Sequence, residues 1–207
     1  GNAELKATMA GEEYVDDGSD EMLDTGERLE ISGGSVTIDA EGDGIDSNGT
    51  LTISGGDVAV YGPTSGADGA LDSNGTFSVT GGTVLAFGPG GMEQAPDAGG
   101  QGWVLVSAQL SAGQSGEIID EAGDTFAEFT SRKDARALTF SSARVTTGSS
   151  YTVTSGGSTL GSATAGEGGM RGPGGPGGRP PGGGQPGEMP GGGQPGPERP
   201  GDQAPQR

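Results

Sequence analysis

Two stretches of the chain, GDGIDSNGTLTISGG from Gly42 and GADGALDSNGTFSVTGG from Gly66, place acidic and amide side chains at matching points of near-identical segments. Asp46 and Asp72 open the shared pentapeptide DSNGT, Asp43 and Asp68 precede them, and Asn48 and Asn74 come after them in the same register. Carboxylate and amide oxygens are the ligands of hard divalent cations, Ca²⁺ above all. Between Arg28 and Arg132 there is no Lys or Arg to neutralise these acids. If the two segments stack, the carboxylates repel unless a cation lies between them. Asp43, Asp46, Asp68, Asp72, Asn48 and Asn74 are therefore the candidate metal ligands. The competing explanation is local: Asp and Asn are favoured in turns because they bond their own backbone. Asn48 and Asn74, each followed by Gly, also suit a turn or an inward asparagine ladder. The spacing is not that of an EF-hand loop, and no bidentate Glu follows.

Catalytic chemistry has few carriers here. There is no His and no Cys, which removes the commonest general base and any thiolate. A polysaccharide lyase needs a Lys or Arg beside its calcium, and the repeats have neither. Paired carboxylates can hydrolyse glycosides, but repeated turn aspartates are structural by default. The expectation is a protein that is not an enzyme. Sugar contact needs flat apolar faces beside hydrogen-bonding groups. Tyr61 and Phe87 occupy the same outward position in consecutive repeats, with Asp57 and Thr83 beside them, and these four are the candidate carbohydrate-binding residues. The same aromatic pair also serves if the C-terminal part of the chain covers it, or if it only stiffens a sheet.

These residues need elements to position them. LEISGGSVTID starts at Leu29, LTISGGDVAVY at Leu51 and FSVTGGTVLAF at Phe77, a spacing typical of solenoid rungs. Each unit holds two short alternating runs. Leu29, Ile31, Val36 and Ile38 lie on one face and Glu30, Ser35, Thr37 and Asp39 on the other, which predicts strands with one buried side. The Gly-Gly pairs permit a corner between the runs, and the SNG triplets make the next turn. Strand, corner, strand, turn and repeat predict a parallel β-helix. A flat antiparallel meander would use the same alternation without needing identical corners. In the coil, equivalent residues sit one strand spacing apart, about 4.8 Å, which sets Asp46 over Asp72 and Asp43 over Asp68.

The remainder divides by composition. Residues 1–28 are acidic and poor in strand formers, and are expected to be a loop or insertion leading into the rungs at 29–102. From Trp103 the repeat is lost. WVLVSAQL, EIID, TFAEF, ALTF and YTVT predict a small β module or cap over 103–165, with Trp103 at its seam and Met92 of GMEQAP as a loop plug. Residues 166–207, rich in Gly and Pro, are expected to be a disordered tail. The formal charge of −19 opposes nucleic acid and anionic membranes, and no apolar run reaches the length of a membrane span. Any signal peptide is expected to have been removed or to lie outside the segment.

GDGIDSNGTLTISGG, GALDSNGTFSVTGGT, GMEQAP and the closing FSSARVTTGSSYTV together resemble the secreted bacterial carbohydrate-binding proteins built as right-handed parallel β-helices. Those proteins are similar in shape to calcium-dependent pectate lyases but bind polysaccharide without cleaving it. The resemblance runs from about Leu29 to Gly157 and makes the chain look like the C-terminal rungs of such a protein. It implies bound Ca²⁺, a secreted or cell-surface location, and binding to cellulose or acidic, pectin-like sugars. The alternative is a calcium-stiffened structural or adhesive β-solenoid without sugar binding.

Overall fold

A computed structural model describes residues 4–8, 26–65, 68–97 and 99–169. The expected tail beyond 169 lies outside the described residues. These are all-β, with no helix among them and no closed barrel. Strand β1 (Glu4–Thr8) is followed by the long β2 (Arg28–Asp39), the short β3 (Ile45–Ser47) and the long β4 (Thr50–Tyr61). β5 (Leu71–Ser73) ends the second repeat, and the third contains β6 (Phe77–Val79) and β7 (Thr83–Gly88).

The repeats pair in parallel, each residue beside its equivalent. Leu29, Ile31, Val36 and Ile38 of β2 lie beside Leu51, Ile53, Val58 and Val60 of β4. Those in turn lie beside Phe77, Val79, Val84 and Ala86 of β6 and β7. β3 and β5 form a separate two-stranded parallel sheet, in which Ile45 pairs with Leu71 and Ser47 with Ser73. Their inward side chains make one apolar cluster, with Ile31, Leu51, Ile53 and Val60 inaccessible to solvent. The antiparallel meander is thus not the arrangement adopted.

The corners stack as well. Gly34, Gly56 and Gly82 all have positive φ, at 77°, 94° and 83°. A Cβ on Gly82 would come within 2.4 Å of the Gly56 carbonyl oxygen, so position and conformation both demand glycine there.

The stack ends on side chains that imitate a further strand. Gln94 accepts from the Ser73 amide through Oε1 and donates to the Ser73 carbonyl through Nε2, both at 3.1 Å. Asp97 donates its own N–H to the Phe77 carbonyl at 2.7 Å and accepts from the Phe77 amide at 3.0 Å. The Gln101 amide donates to the Val79 carbonyl at 2.6 Å. Edge groups of β5 and β6 that would otherwise lack partners are thereby satisfied. Met92, expected as a plug in this segment, is instead an exposed large hydrophobic residue.

β7 is closed differently. β11 (Ala135–Ser141) pairs antiparallel with it, and β8 (Trp103–Leu110) pairs with β11. The C-terminal module therefore continues the rung sheet. A second, antiparallel sheet runs β10 (Thr125–Thr130), β9 (Ser115–Asp120), β12 (Ser150–Ser155) and β13 (Ser158–Thr164). Val104, Val106, Ile118, Leu138, Phe140, Tyr151 and Val153 form its core with Phe87.

Trp103, expected at the seam, is buried. Two strands escape the sequence pattern. β13 is rich in Ser, Thr and Gly, and its pairing with β12 across the Gly156–Gly157 turn supplies what composition does not. β1 lies within the segment expected to be a loop or insertion leading into the rungs, and it pairs antiparallel with β2.

Gly82→Ala is expected to destabilise the fold by about 2 kcal/mol or more, from a strained φ and a backbone clash. Gly33→Ala, where an added Cβ meets nothing within 4 Å, is expected to change stability by less than about 1 kcal/mol. Urea unfolding of the two variants measures both, and equal effects would contradict the stacked-corner account.

Candidate functional site

β3 and β5 set the aspartates. With Ile45, Leu71, Ser47 and Ser73 buried, alternation turns Asp46 and Asp72 outward, directly paired in the parallel ladder. The register continues upstream, where Gly44 and Ile45 donate to the carbonyls of Gly69 and Ala70 at 3.2 and 3.0 Å. Asp43 and Asp68 are less simply aligned. The extra residue in the second unit brings the Gly69 N–H onto Asp43 Oδ1 at 2.6 Å. Asp68 is exposed, and its carboxylate lies beside Gly42. Asp43 thus caps a backbone amide of the next repeat and does not simply sit beneath Asp68.

Asp72 is the electrostatic centre of this corner. Partial burial raises its pKa above the ordinary 3.8, and the nearby charges of Asp43 and Asp68 raise it further. Hydrogen bonds from the Ser73 backbone and from the Gln94 side chain act in the opposite direction without prevailing. Gln94 Nε2 donates to Asp72 Oδ1 while the same carboxamide holds Ser73. Gln94 was not legible as a functional residue. It lies in the third repeat's loop, and only the fold brings it to Asp72.

Among the described residues no group of three or more acidic side chains converges as a metal-holding set. The donors are of the kind a hard cation takes, and their repulsion at Asp72 is the kind a cation relieves. The fit is one of chemistry and charge, with Asp43 and Asp72 each already engaged in a hydrogen bond. Asn48 and Asn74 follow the ladder alternative. Asn74 Nδ2 donates to Asn48 Oδ1 at 3.3 Å, and Asn74 is buried. That bond occupies the amide oxygen that Asn48 was expected to offer a metal.

The aromatic row is formed but covered. Asp39, Tyr61 and Phe87 lie side by side across β2, β4 and β7. The Tyr61 and Phe87 rings stack at 5.1 Å between centroids with 5° between planes. Phe87 is only 2% exposed, and Phe129 of β10 packs edge-on against it at 5.6 Å. The guanidinium of Arg132 lies 4.9 Å from the Tyr61 centroid, and the Tyr61 hydroxyl donates to the Thr130 carbonyl at 3.4 Å. Neither ring offers a sugar the open face expected from sequence, because the C-terminal module occupies it. Asp57 is exposed beside the half-buried Thr83, in register on the outer face of β4 and β7.

Lys133 fastens the module to the rung ends. Its Nζ contacts Asp39 at 2.8 Å and Glu41 at 3.0 Å, and donates to the Ala40 carbonyl at 2.7 Å. These partners hold its pKa above the ordinary value, with the Asp39 bond the largest cause.

No protein-family model, curated protein or solved structure matches the chain.

A raised carboxylate pKa in the folded state makes stability fall as pH rises. Below pH 3.8 Asp72 is protonated in both states. Between 3.8 and its folded pKa the unfolded state ionises first, and the loss is complete above the folded value. In EDTA, Asp72→Asn is therefore expected to be more stable than the wild type at pH 7, with the advantage vanishing below 3.8. Urea unfolding across pH 3–7 checks the sign, and a variant less stable at pH 7 would refute it.

Proposed function

We propose that the chain is the rung-and-cap portion of a right-handed parallel β-helix, a secreted, non-catalytic module that binds acidic polysaccharide with Ca²⁺. The observation that carries this reading is the paired register of Asp46 and Asp72, with the Asp72 pKa raised first by burial and further by the charges of Asp43 and Asp68. A divalent ion at this corner would relieve that repulsion and bridge to a uronate carboxylate that the acidic surface would otherwise repel. In this account Asp46, Asp72, Asp43 and Asp68 supply oxygen ligands. Parallel pairing of three consecutive repeats supports the solenoid, and the resemblance of the DSNGT repeats to polysaccharide-binding β-helices supports the ligand class. The absence of His from the sequence, and of Lys and Arg from the repeats, argues against lyase chemistry.

Within the carbohydrates, the covered aromatic row favours an acidic chain over cellulose. Stacking on cellulose needs open flat rings, and Tyr61 and Phe87 are both taken up by other side chains. The same burial favours a second reading, a calcium-stiffened structural or adhesive solenoid that meets no sugar.

Calcium is expected to raise the melting temperature of the wild type and EDTA to lower it, with both effects lost in the Asp46→Asn, Asp72→Asn double variant. Pull-down on insoluble polygalacturonate and on cellulose, with and without Ca²⁺, then separates the readings. Calcium-dependent retention on polygalacturonate is the expected result. Retention on neither matrix would leave the scaffold, and release of unsaturated product would overturn the non-catalytic assignment.

A further inference from the structure

Among the described residues Arg132 is a cation without an ion pair, in an acidic molecule. The chain holds 29 Asp and Glu against 10 Lys and Arg, yet among the described residues the ion pairs are made by its neighbour Lys133. Asp134, two residues along, turns away to accept from the Ala112 amide at 2.8 Å. Arg132 is exposed, and its guanidinium lies over Tyr61.

That position is fixed from several sides. Phe87 covers one face of the Tyr61 ring in parallel, which leaves the other to the guanidinium. Ser131, fully buried, bonds through its amide to the Gln114 carbonyl at 2.9 Å and through Oγ to the Lys133 carbonyl at 2.6 Å. Lys133 in turn grips Asp39, Ala40 and Glu41. Both flanking residues are anchored, which fixes the Arg132 backbone, and the guanidinium itself rests on the Tyr61 ring. A planar, prepositioned guanidinium without a carboxylate of its own matches a carboxylate from outside.

We propose that Arg132, seated on Tyr61, is the carboxylate-recognition residue of an acidic-glycan subsite, pairing with the carboxylate of a uronate residue. This rests on the polysaccharide-binding reading above and adds to it a contact that needs no metal. A neutral glycan offers the guanidinium only hydroxyl acceptors and no charge, so the subsite discriminates by charge. Tyr61 keeps a role in sugar binding, as the support of the arginine and not as the stacking platform.

The test is titration of the full isotope-labelled chain with trigalacturonate in EDTA, following the Arg side-chain Nε–H signals by NMR. The wild type is expected to shift the Arg132 signal, and Arg132→Gln to bind about tenfold more weakly. Arg132→Lys is expected to recover only part of the loss. Arg144→Gln, which removes a guanidinium held 4.2 Å over Phe126, is expected to bind as the wild type does. Cellohexaose is expected to leave the Arg132 signal unmoved. Equal affinity of Arg132→Gln and wild type, or no trigalacturonate binding in EDTA, overturns the subsite. Either result leaves calcium-dependent retention on polygalacturonate standing. Loss of that retention with the EDTA titration intact would instead sink the calcium bridge.

Discussion

A parallel ladder places each residue beside its equivalent in the next repeat, and this one constraint builds the core and aligns outward acids on the same rungs. On the inner side it sets Leu51 beside Phe77 and Val60 beside Ala86, so apolar surface is buried continuously from repeat to repeat. On the outer side the same rule sets Asp46 beside Asp72, with no choice of partner. A side chain cannot be in register inward and out of register outward on one short strand. Asp72 on that row has its pKa raised first by burial and then by the charges of Asp43 and Asp68, which flank the paired aspartates.

Such a stack also has to end. Each open strand edge carries a row of peptide groups that invites another chain, and the molecule closes its edges by different means. A glutamine carboxamide presents an N–H and a C=O side by side as a peptide does, which lets Gln94 stand in for a strand against Ser73 with a second N–H left for Asp72. Asp97 does the same for Phe77 with one backbone and one side-chain group. β7 receives a true strand, β11, and with it the antiparallel module whose core absorbs Phe87. Gln94 reaches Asp72 only because it is capping Ser73, so the edge closure and the candidate metal corner share a residue.

The module's attachment decides what the outer face can do. Tyr61 and Phe87 look like a platform when counted along the repeats. Once Phe129 and Arg132 lie against them, their hydrophobic surface is spent on joining the module to the rungs. What remains for a ligand is charge, negative at the aspartate corner and positive at Arg132. It is on this distribution that the proposal of a carboxylate-bearing sugar chain, with calcium as mediator, rests.

Period-two alternation and the matched DSNGT segments were enough to determine the inward residues, the glycine corners and the pairing of Asp46 with Asp72. These arise from local pattern repeated at short intervals, where each residue's partner is its own copy. The sequence left the asparagine ladder and the covering of Phe87 as alternatives that only the fold decides, and it could not say that Asp43 meets a backbone amide. Nor could it find Gln94 at Asp72 or Arg132 on Tyr61, contacts between residues 22 and 71 positions apart with no shared motif. Repetition transmits register along the stack, but it carries no information about non-repeating segments. Where those segments dock is fixed by unpaired edges and uncovered apolar faces, which exist only after the rungs have formed.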